Sequence, residues 1–109
     1  MKVTKRDIVK YIYEKIKKEN PDLNLELDDI KYSVNTLIDI IKDYVAENNT
    51  IEIRYFGTFI PKYRKKRIAR IPKKGGEEII LEERYVPVIK FSSIFKDELN
   101  KSLINENEK

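Results

Sequence analysis

Between Arg54 and Lys74 the chain carries nine basic side chains, Arg54, Lys62, Arg64, Lys65, Lys66, Arg67, Arg70, Lys73 and Lys74, and not one acidic residue. The chemistry open to such a run is ionic: ammonium and guanidinium groups that hydrogen-bond phosphate oxygens or carboxylates. A charge run is often no more than a solvated surface. Nine positive charges with no acid among them repel one another, however, unless an anionic partner neutralises them, and nucleic acid is the commonest such partner. The imbalance is local. Residues 1–50 hold 9 bases and 10 acids, residues 51–109 hold 14 and 9, and the formal charge of the whole chain is +4.

Acid–base, nucleophilic and metal chemistry have little to work with. The 109 residues include no His and no Cys, which removes the commonest general base, the commonest metal ligand, thiolate sites and disulfides. Carboxylates occur side by side at Asp28-Asp29, Glu77-Glu78 and Glu82-Glu83, and adjacent residues on a helix or strand do not converge on one substrate. Asp28 and Asp29 suit a helix N-terminus, where the backbone dipole favours negative charge. The four glutamates are placed to face bases across a hairpin. No calcium loop, phosphate-cradling glycine loop or nucleophile elbow is present. The expectation is a protein that is not an enzyme, with no metal, no cofactor and no small-molecule substrate. No run approaches the roughly 20 apolar residues that span a bilayer, and Met1 to Lys10 lacks the apolar stretch of a signal peptide, so a soluble, intracellular protein without a membrane partner is expected.

Seven Tyr and four Phe offer another mode, stacking on single-stranded bases. Phe56, Phe59 and Phe95 stand in apolar contexts and read as core, whereas Tyr63, inside the basic run, could serve either role. Ser92-Ser93 reads first as a helix cap, although the exposed amides of a helix start can also hold a phosphate.

These residues need elements to position them. Thr4-Lys5-Arg6-Asp7 is a capping box, after which Ile8, Val9, Ile12 and Ile16 recur at helical spacing up to Asn20-Pro21, where proline disfavours helix in the residue before it. After a loop from Asp22 to Leu25, the residues Ile30, Val34, Leu37, Ile38, Ile41 and Val45 hold one face of a second helix that should stop at Asn48-Asn49. From Thr50 the period becomes two. Ile51, Ile53, Tyr55, Phe56 and Phe59 read as strand, interrupted at Gly57 by a bulge or a close backbone approach. Ile60 to Ile68 continues extended, with Pro61 and later Pro87 marking edges or strand ends. Ile71-Pro72-Lys73-Lys74-Gly75-Gly76 is a turn signature, Glu77 to Lys90 returns as strand, and Ile94, Phe95, Leu99 and Leu103 form a last helix before a polar tail.

The expected fold is therefore α+β in a single domain: an N-terminal helical hairpin (1–49), a three-stranded antiparallel sheet extended into a long β-arm (50–91, arm about 61–84), a short C-terminal helix (92–104) and a tail (105–109). The arm has too few apolar side chains to lie on a core along its length. What is left of a 109-residue chain makes a small domain, of the size that buries only about 60–70% of its unfolded surface. A second copy related by a two-fold axis would supply cover and place two basic arms symmetrically.

Two helices, the strand Ile51-Glu52-Ile53-Arg54-Tyr55-Phe56-Gly57-Thr58-Phe59, a basic arm with Arg70-Ile71-Pro72 at its tip and a Val86-Pro87 return together resemble the HU/IHF family of bacterial histone-like DNA-bending proteins, over about Val3 to Leu103. The resemblance implies an intertwined homodimer whose two β-arms wrap double-stranded DNA through the minor groove, with low sequence specificity and a preference for bent, gapped or flexible duplex. Each arm tip would insert a proline between base pairs, and Pro72 is then the intercalating residue. Lys62, Arg64, Arg67 and Arg70 match basic arm positions, Lys5 a basic position near the first helix, and Lys90 another on the body. With their neighbours, the DNA-binding set becomes Lys5, Arg54, Lys62, Arg64, Lys65, Lys66, Arg67, Arg70, Ile71, Pro72, Lys73, Lys74, Lys90, Ser92 and Ser93. The implied location is the bacterial nucleoid in the cytoplasm.

The chain departs from the family pattern in several places. Ile71 stands before the wedge where the family usually has Asn or Lys, and Lys74 two residues after it where Thr or Asn is usual. Tyr55 stands where Gly is frequent, the return carries one extra residue around Gly75-Gly76, and Ser92-Ser93 replaces a Gly-Lys pair before the last helix. Two other readings compete: a single-stranded DNA or RNA module in which Tyr63 stacks on bases, and a dimer whose arm grips an acidic protein.

Overall fold

The structure, a computed structural model, describes residues 1–72 and 75–107. In chain order it has α1 (Lys5–Glu19), α2 (Leu27–Ala46), β1 (Ile51–Ile53), β2 (Gly57–Arg64), β3 (Arg67–Ile71), β4 (Glu77–Leu81), β5 (Arg84–Phe91) and α3 (Ser93–Asn107). It divides into two compact units, Met1–Lys42 and Asp43–Lys109.

In the first unit, α1 starts on the expected capping box. The Thr4 hydroxyl accepts from the Asp7 amide at 3.4 Å, and the Thr4 amide donates to Asp7 Oδ2 at 3.0 Å. The helix closes at Asn20, whose amide donates to the Ile16 carbonyl at 2.8 Å. Asp28 and Asp29 occupy the first turn of α2, and Asp29 Oδ2 accepts from the Glu26 amide at 3.2 Å, so these carboxylates serve the helix start. The helix ends at Ala46, slightly before the expected Asn48-Asn49, because Asn48 takes φ 66° and the Asn49 amide turns back to the Tyr44 carbonyl at 3.0 Å. Val9 on α1 and Ile30 on α2 are the buried apolar side chains of the described residues, at 6% and 8% exposure.

In the second unit, β1, β2 and β5 form an antiparallel sheet in the order β1-β2-β5, and β3 pairs with β4 in a separate two-stranded ladder. The expectation that Tyr55 and Phe56 lie in a strand is corrected: they belong to the turn joining β1 to β2, closed by the Phe56 amide on the Ile53 carbonyl at 3.0 Å. Tyr55 has φ 66°, as the third residue of a type II turn requires, at the place where glycine is the easier residue. Gly57 is a close approach and not a bulge, since it pairs in register with Ile53 and Phe91 and a Cβ there would lie 2.9 Å from the Lys90 carbonyl oxygen.

The prolines occupy positions that need no amide. Pro61 and Pro87 face each other across β2 and β5. The Ser92 amide bonds the Phe56 carbonyl at 2.9 Å, which makes Gly57–Phe91, and by alternation Pro61–Pro87, non-hydrogen-bonded pairs. β1 reaches β2 only as far as Phe59, so beyond that point the β2–β5 ribbon has no third strand.

α3 begins one residue after Ser92, whose hydroxyl accepts from the Phe95 amide at 3.1 Å and donates to the Tyr55 carbonyl oxygen at 2.9 Å. One side chain thus caps the helix and braces the β1–β2 turn. The two departures from the family pattern, Tyr55 and Ser92, are in contact. Phe56, Phe91 and Phe95 form an aromatic cluster over the same corner, with ring centroids 5.4 to 5.9 Å apart. Phe91, which the sequence did not single out, joins this cluster; the expectation that Phe56 is core is corrected, since it and Phe91 are each 42% exposed in the single chain, while Phe59 and Phe95 are half-buried. At 15 residues α3 is as long as α1 and continues past the expected end at 104.

Candidate nucleic-acid interface

The arm is one ribbon in two ladders. In β2–β5 the register pairs Lys62 with Val86, Tyr63 with Tyr85 and Arg64 with Arg84; in β3–β4 it pairs Arg67 with Leu81, Ile68 with Ile80, Ala69 with Ile79, Arg70 with Glu78 and Ile71 with Glu77. Two residues on each side, Lys65-Lys66 and Glu82-Glu83, fall between the ladders without strand pairing. The skipped lengths are equal, so the register runs through the break unchanged and Lys66 comes opposite Glu82. The uninterrupted strands expected over Ile60–Ile68 and Glu77–Lys90 are corrected by this gap. The register sets Lys65 and Lys66 against Glu83 and Glu82, opposite charges that favour pairing, and the like pair Arg64–Arg84 stays within the ladder, so cross-strand charge does not account for the break.

Side chains bridge the gap. Lys66 Nζ lies 3.9 Å from Glu82 Oε1, and the Tyr63 hydroxyl donates to Glu83 Oε2. That bond is the main cause that raises the Tyr63 pKa above the ordinary phenol value, with burial and the nearby carboxylate charge adding to it. The Tyr63 ring also lies 5.4 Å from that of Tyr85. Tyr63 is therefore partnered at both its hydroxyl and its ring. Further out, the Arg70 guanidinium meets Glu78 Oε1 at 3.3 Å. The expected cross-strand pairs are present for Glu78 and Glu82.

Lys62, Arg64, Lys65, Lys66, Arg67 and Arg70 are all exposed along the ribbon. Ile71 is half-buried and Pro72 exposed at the tip, where the Ile71 and Pro72 carbonyls accept from the Gly76 and Gly75 amides, both at 3.3 Å. The two glycines have φ 80° and 72°, the freedom this turn demands. Lys73 and Lys74 lie outside the described residues. Arg54 is in the β1–β2 turn, stacked 4.9 Å over the Tyr55 ring. Lys90 is an exposed β5 residue opposite Thr58, and Lys5 is exposed in the first turn of α1. The Ser92 hydroxyl is committed to the turn and the helix, whereas Ser93 is exposed. Sequence reasoning missed Arg84. The signal that finds it is the register: counting back from the tip puts it level with Arg64.

Among the described residues there is no group of three His, Cys, Asp or Glu side chains fit to hold a metal, and no helix is long and apolar enough to cross a membrane.

A basic two-stranded ribbon running on from a small antiparallel sheet, with an exposed proline at its tip, has the design of a β-ribbon DNA-binding protein. The family model for bacterial DNA-binding protein matches residues 3–100, and the chain belongs to that family, the HU/IHF proteins. It is similar to integration host factor subunit beta of Hahella chejuensis, 36% identical over 101 residues that cover 93% of this chain and 96% of the relative. It is also similar to integration host factor subunit beta of Chromobacterium violaceum, 29% identical over 106 residues covering 97% and 99%. Among solved structures, the Anabaena HU–DNA cocrystal structure matches with a TM-score of 0.73 over 89% of this chain and 97% of the other at 20% identity, a likeness of fold.

Proposed function

We propose that the chain is an architectural DNA-binding protein that acts as a homodimer, laying two basic ribbons along the minor groove of double-stranded DNA and bending it. The observation that carries this reading is the ribbon itself: exposed bases on both sides of the Arg64–Arg84 rung, ending in an exposed proline. Lys and Arg contacts to phosphate hold a protein on duplex without reading sequence, so low specificity follows. Unstacking a base step costs a few kcal/mol, and bending a 20–30 base-pair site about 1–6 kcal/mol. Phosphates reached only on curved DNA offset both terms.

A second copy is supported by the apolar surface left open. Leu37, Ile38, Ile40 and Tyr44 on α2 and Ile94, Leu99 and Leu103 on α3 are all exposed in the single chain, more large apolar side chains than a stable monomer usually leaves in water. The engagement of Tyr63 by Glu83 and Tyr85 favours the duplex reading over the single-stranded alternative, for which Tyr63 is the best stacking residue.

The test is competition at low salt between straight, gapped and prebent duplexes and a single strand of equal length. The reading expects gapped and prebent duplex to bind best and the single strand worst. A single strand that outcompetes every duplex would reject it.

A further inference from the structure

We propose that the Arg64–Arg84 rung is the arm's principal phosphate clamp, and that the rungs beyond it, Lys66–Glu82 and Arg70–Glu78, each balanced by a glutamate, contribute less to phosphate binding. The proposal rests on the DNA-binding reading above and deepens it.

Arg64 and Arg84 are direct cross-strand partners. By the alternation that makes Pro61–Pro87 a non-hydrogen-bonded pair, theirs is a hydrogen-bonded pair, which fixes the two Cα atoms about 5.5 Å apart. Like charges so placed destabilise a sheet. Among the described residues no carboxylate lies within ion-pair distance of either guanidinium: that of Arg84 contacts the backbone carbonyl of Glu82 at 3.5 Å. Both side chains are exposed, and Lys62, two residues back in β2, shares their face. Two planar guanidinium forks at fixed separation match the oxygens of a phosphodiester. A bound phosphate converts the repulsion into two charge-assisted contacts.

Further out the balance reverses. Lys66 faces Glu82 at 3.9 Å and Arg70 faces Glu78 at 3.3 Å. Exposed ion pairs are individually weak. Their strength is not what matters here, because the register keeps each carboxylate within reach of its base whether or not the contact is closed. A phosphate approaching Lys66 or Arg70 must also approach a glutamate. On the face these rungs share, Ile68 and Ile80 stand directly opposite each other, 67% and 61% exposed, so that face is apolar and neutral there, and Arg67, opposite Leu81, lies on the other face. Counterion release follows net charge, and these rungs have none to offer.

The salt dependence of duplex binding by the full chain tests the partition. Arg84→Gln and Arg64→Gln should each flatten the slope of log affinity against log salt by roughly 1–2 for a two-armed dimer, at about 0.9 per phosphate contact. Arg84→Lys should restore it. The quadruple variant Lys66→Gln, Glu82→Gln, Arg70→Gln, Glu78→Gln removes two positive and two negative charges per chain and should flatten the slope less than Arg84→Gln alone. A wild-type chain that binds duplex with Arg84→Gln on the same slope, or a quadruple variant that flattens the slope as much as Arg84→Gln does, overturns the clamp alone. A wild-type chain that fails to bind duplex at low salt overturns the DNA reading and the clamp with it.

Discussion

Asp7 shows how much a short polar sequence decides. Its carboxylate takes hydrogen bonds from the Thr4 amide and the Thr4 hydroxyl, both at 3.0 Å, and these, the amide first, hold its pKa below the ordinary carboxylate value. A carboxylate whose folded pKa is depressed adds stability above its unfolded pKa and loses it as pH falls through the folded value. Asp7→Asn should therefore lower the thermal midpoint at neutral pH, and the gap to wild type should close below about pH 4. A gap that stays constant down to pH 2 would mean that the charge contributes nothing. Thr4→Ala removes the other half of the box and should cost about 1 kcal/mol, read by chemical denaturation. Tyr63 runs the other way. Its pKa is raised by the bond to Glu83, so that bond is intact below the ordinary phenol value and is lost only as alkali titrates the hydroxyl.

At the scale of elements, the β2–β5 ladder depends on the missing side chain of Gly57. A Cβ there would sit 2.9 Å from the Lys90 carbonyl oxygen and 3.4 Å from the Phe91 Cα, both backbone atoms that cannot turn aside. Gly57→Ala should cost about 1–3 kcal/mol, and denaturation at the wild-type midpoint would contradict the close approach. The arm beyond the break is held differently: among the described residues the β3–β4 ladder and the Arg70–Glu78 pair hold it further out, and the Lys66–Glu82 pair and the Tyr63 hydrogen bond to Glu83 bridge the unpaired gap. Amides of β3 and β4 should exchange with solvent faster than those of β2 between Gly57 and Ile60; equal protection would show that the gap is no weak point. Much of this was legible in the sequence. Thr4 and Asp7 announce α1 by local chemistry, the apolar period outlines α2, and Pro72 with the two glycines marks the tip. What was not legible depends on partners distant in the chain. Tyr55 looks like strand by propensity and takes positive φ because Ser92 and the Phe56 amide hold the turn. Arg84 looks like one base beside glutamates until the register sets it against Arg64. The interruption at Lys65-Lys66 falls where bases face glutamates, and no residue type on either strand announces it.

For the whole molecule, the apolar side chains left exposed on α2 and α3 lead to a concentration-dependent fold. The thermal midpoint should rise with protein concentration and light scattering should give a dimer mass; a concentration-independent midpoint with a monomer mass would contradict the homodimer. The central claim is that the dimer bends duplex DNA with Pro72 as the wedge. Proline has no amide to desolvate and a rigid apolar ring, and here it is exposed at the end of the ribbon. End-to-end energy transfer across a duplex of 20–30 base pairs, with wild type and Pro72→Ala compared at equal saturation, tests this most directly. The account expects wild type to bring the ends together, and Pro72→Ala to bind straight duplex while losing most of the bend and the preference for gapped or prebent DNA. Unchanged transfer and preference in Pro72→Ala, with the arm still folded, would contradict it.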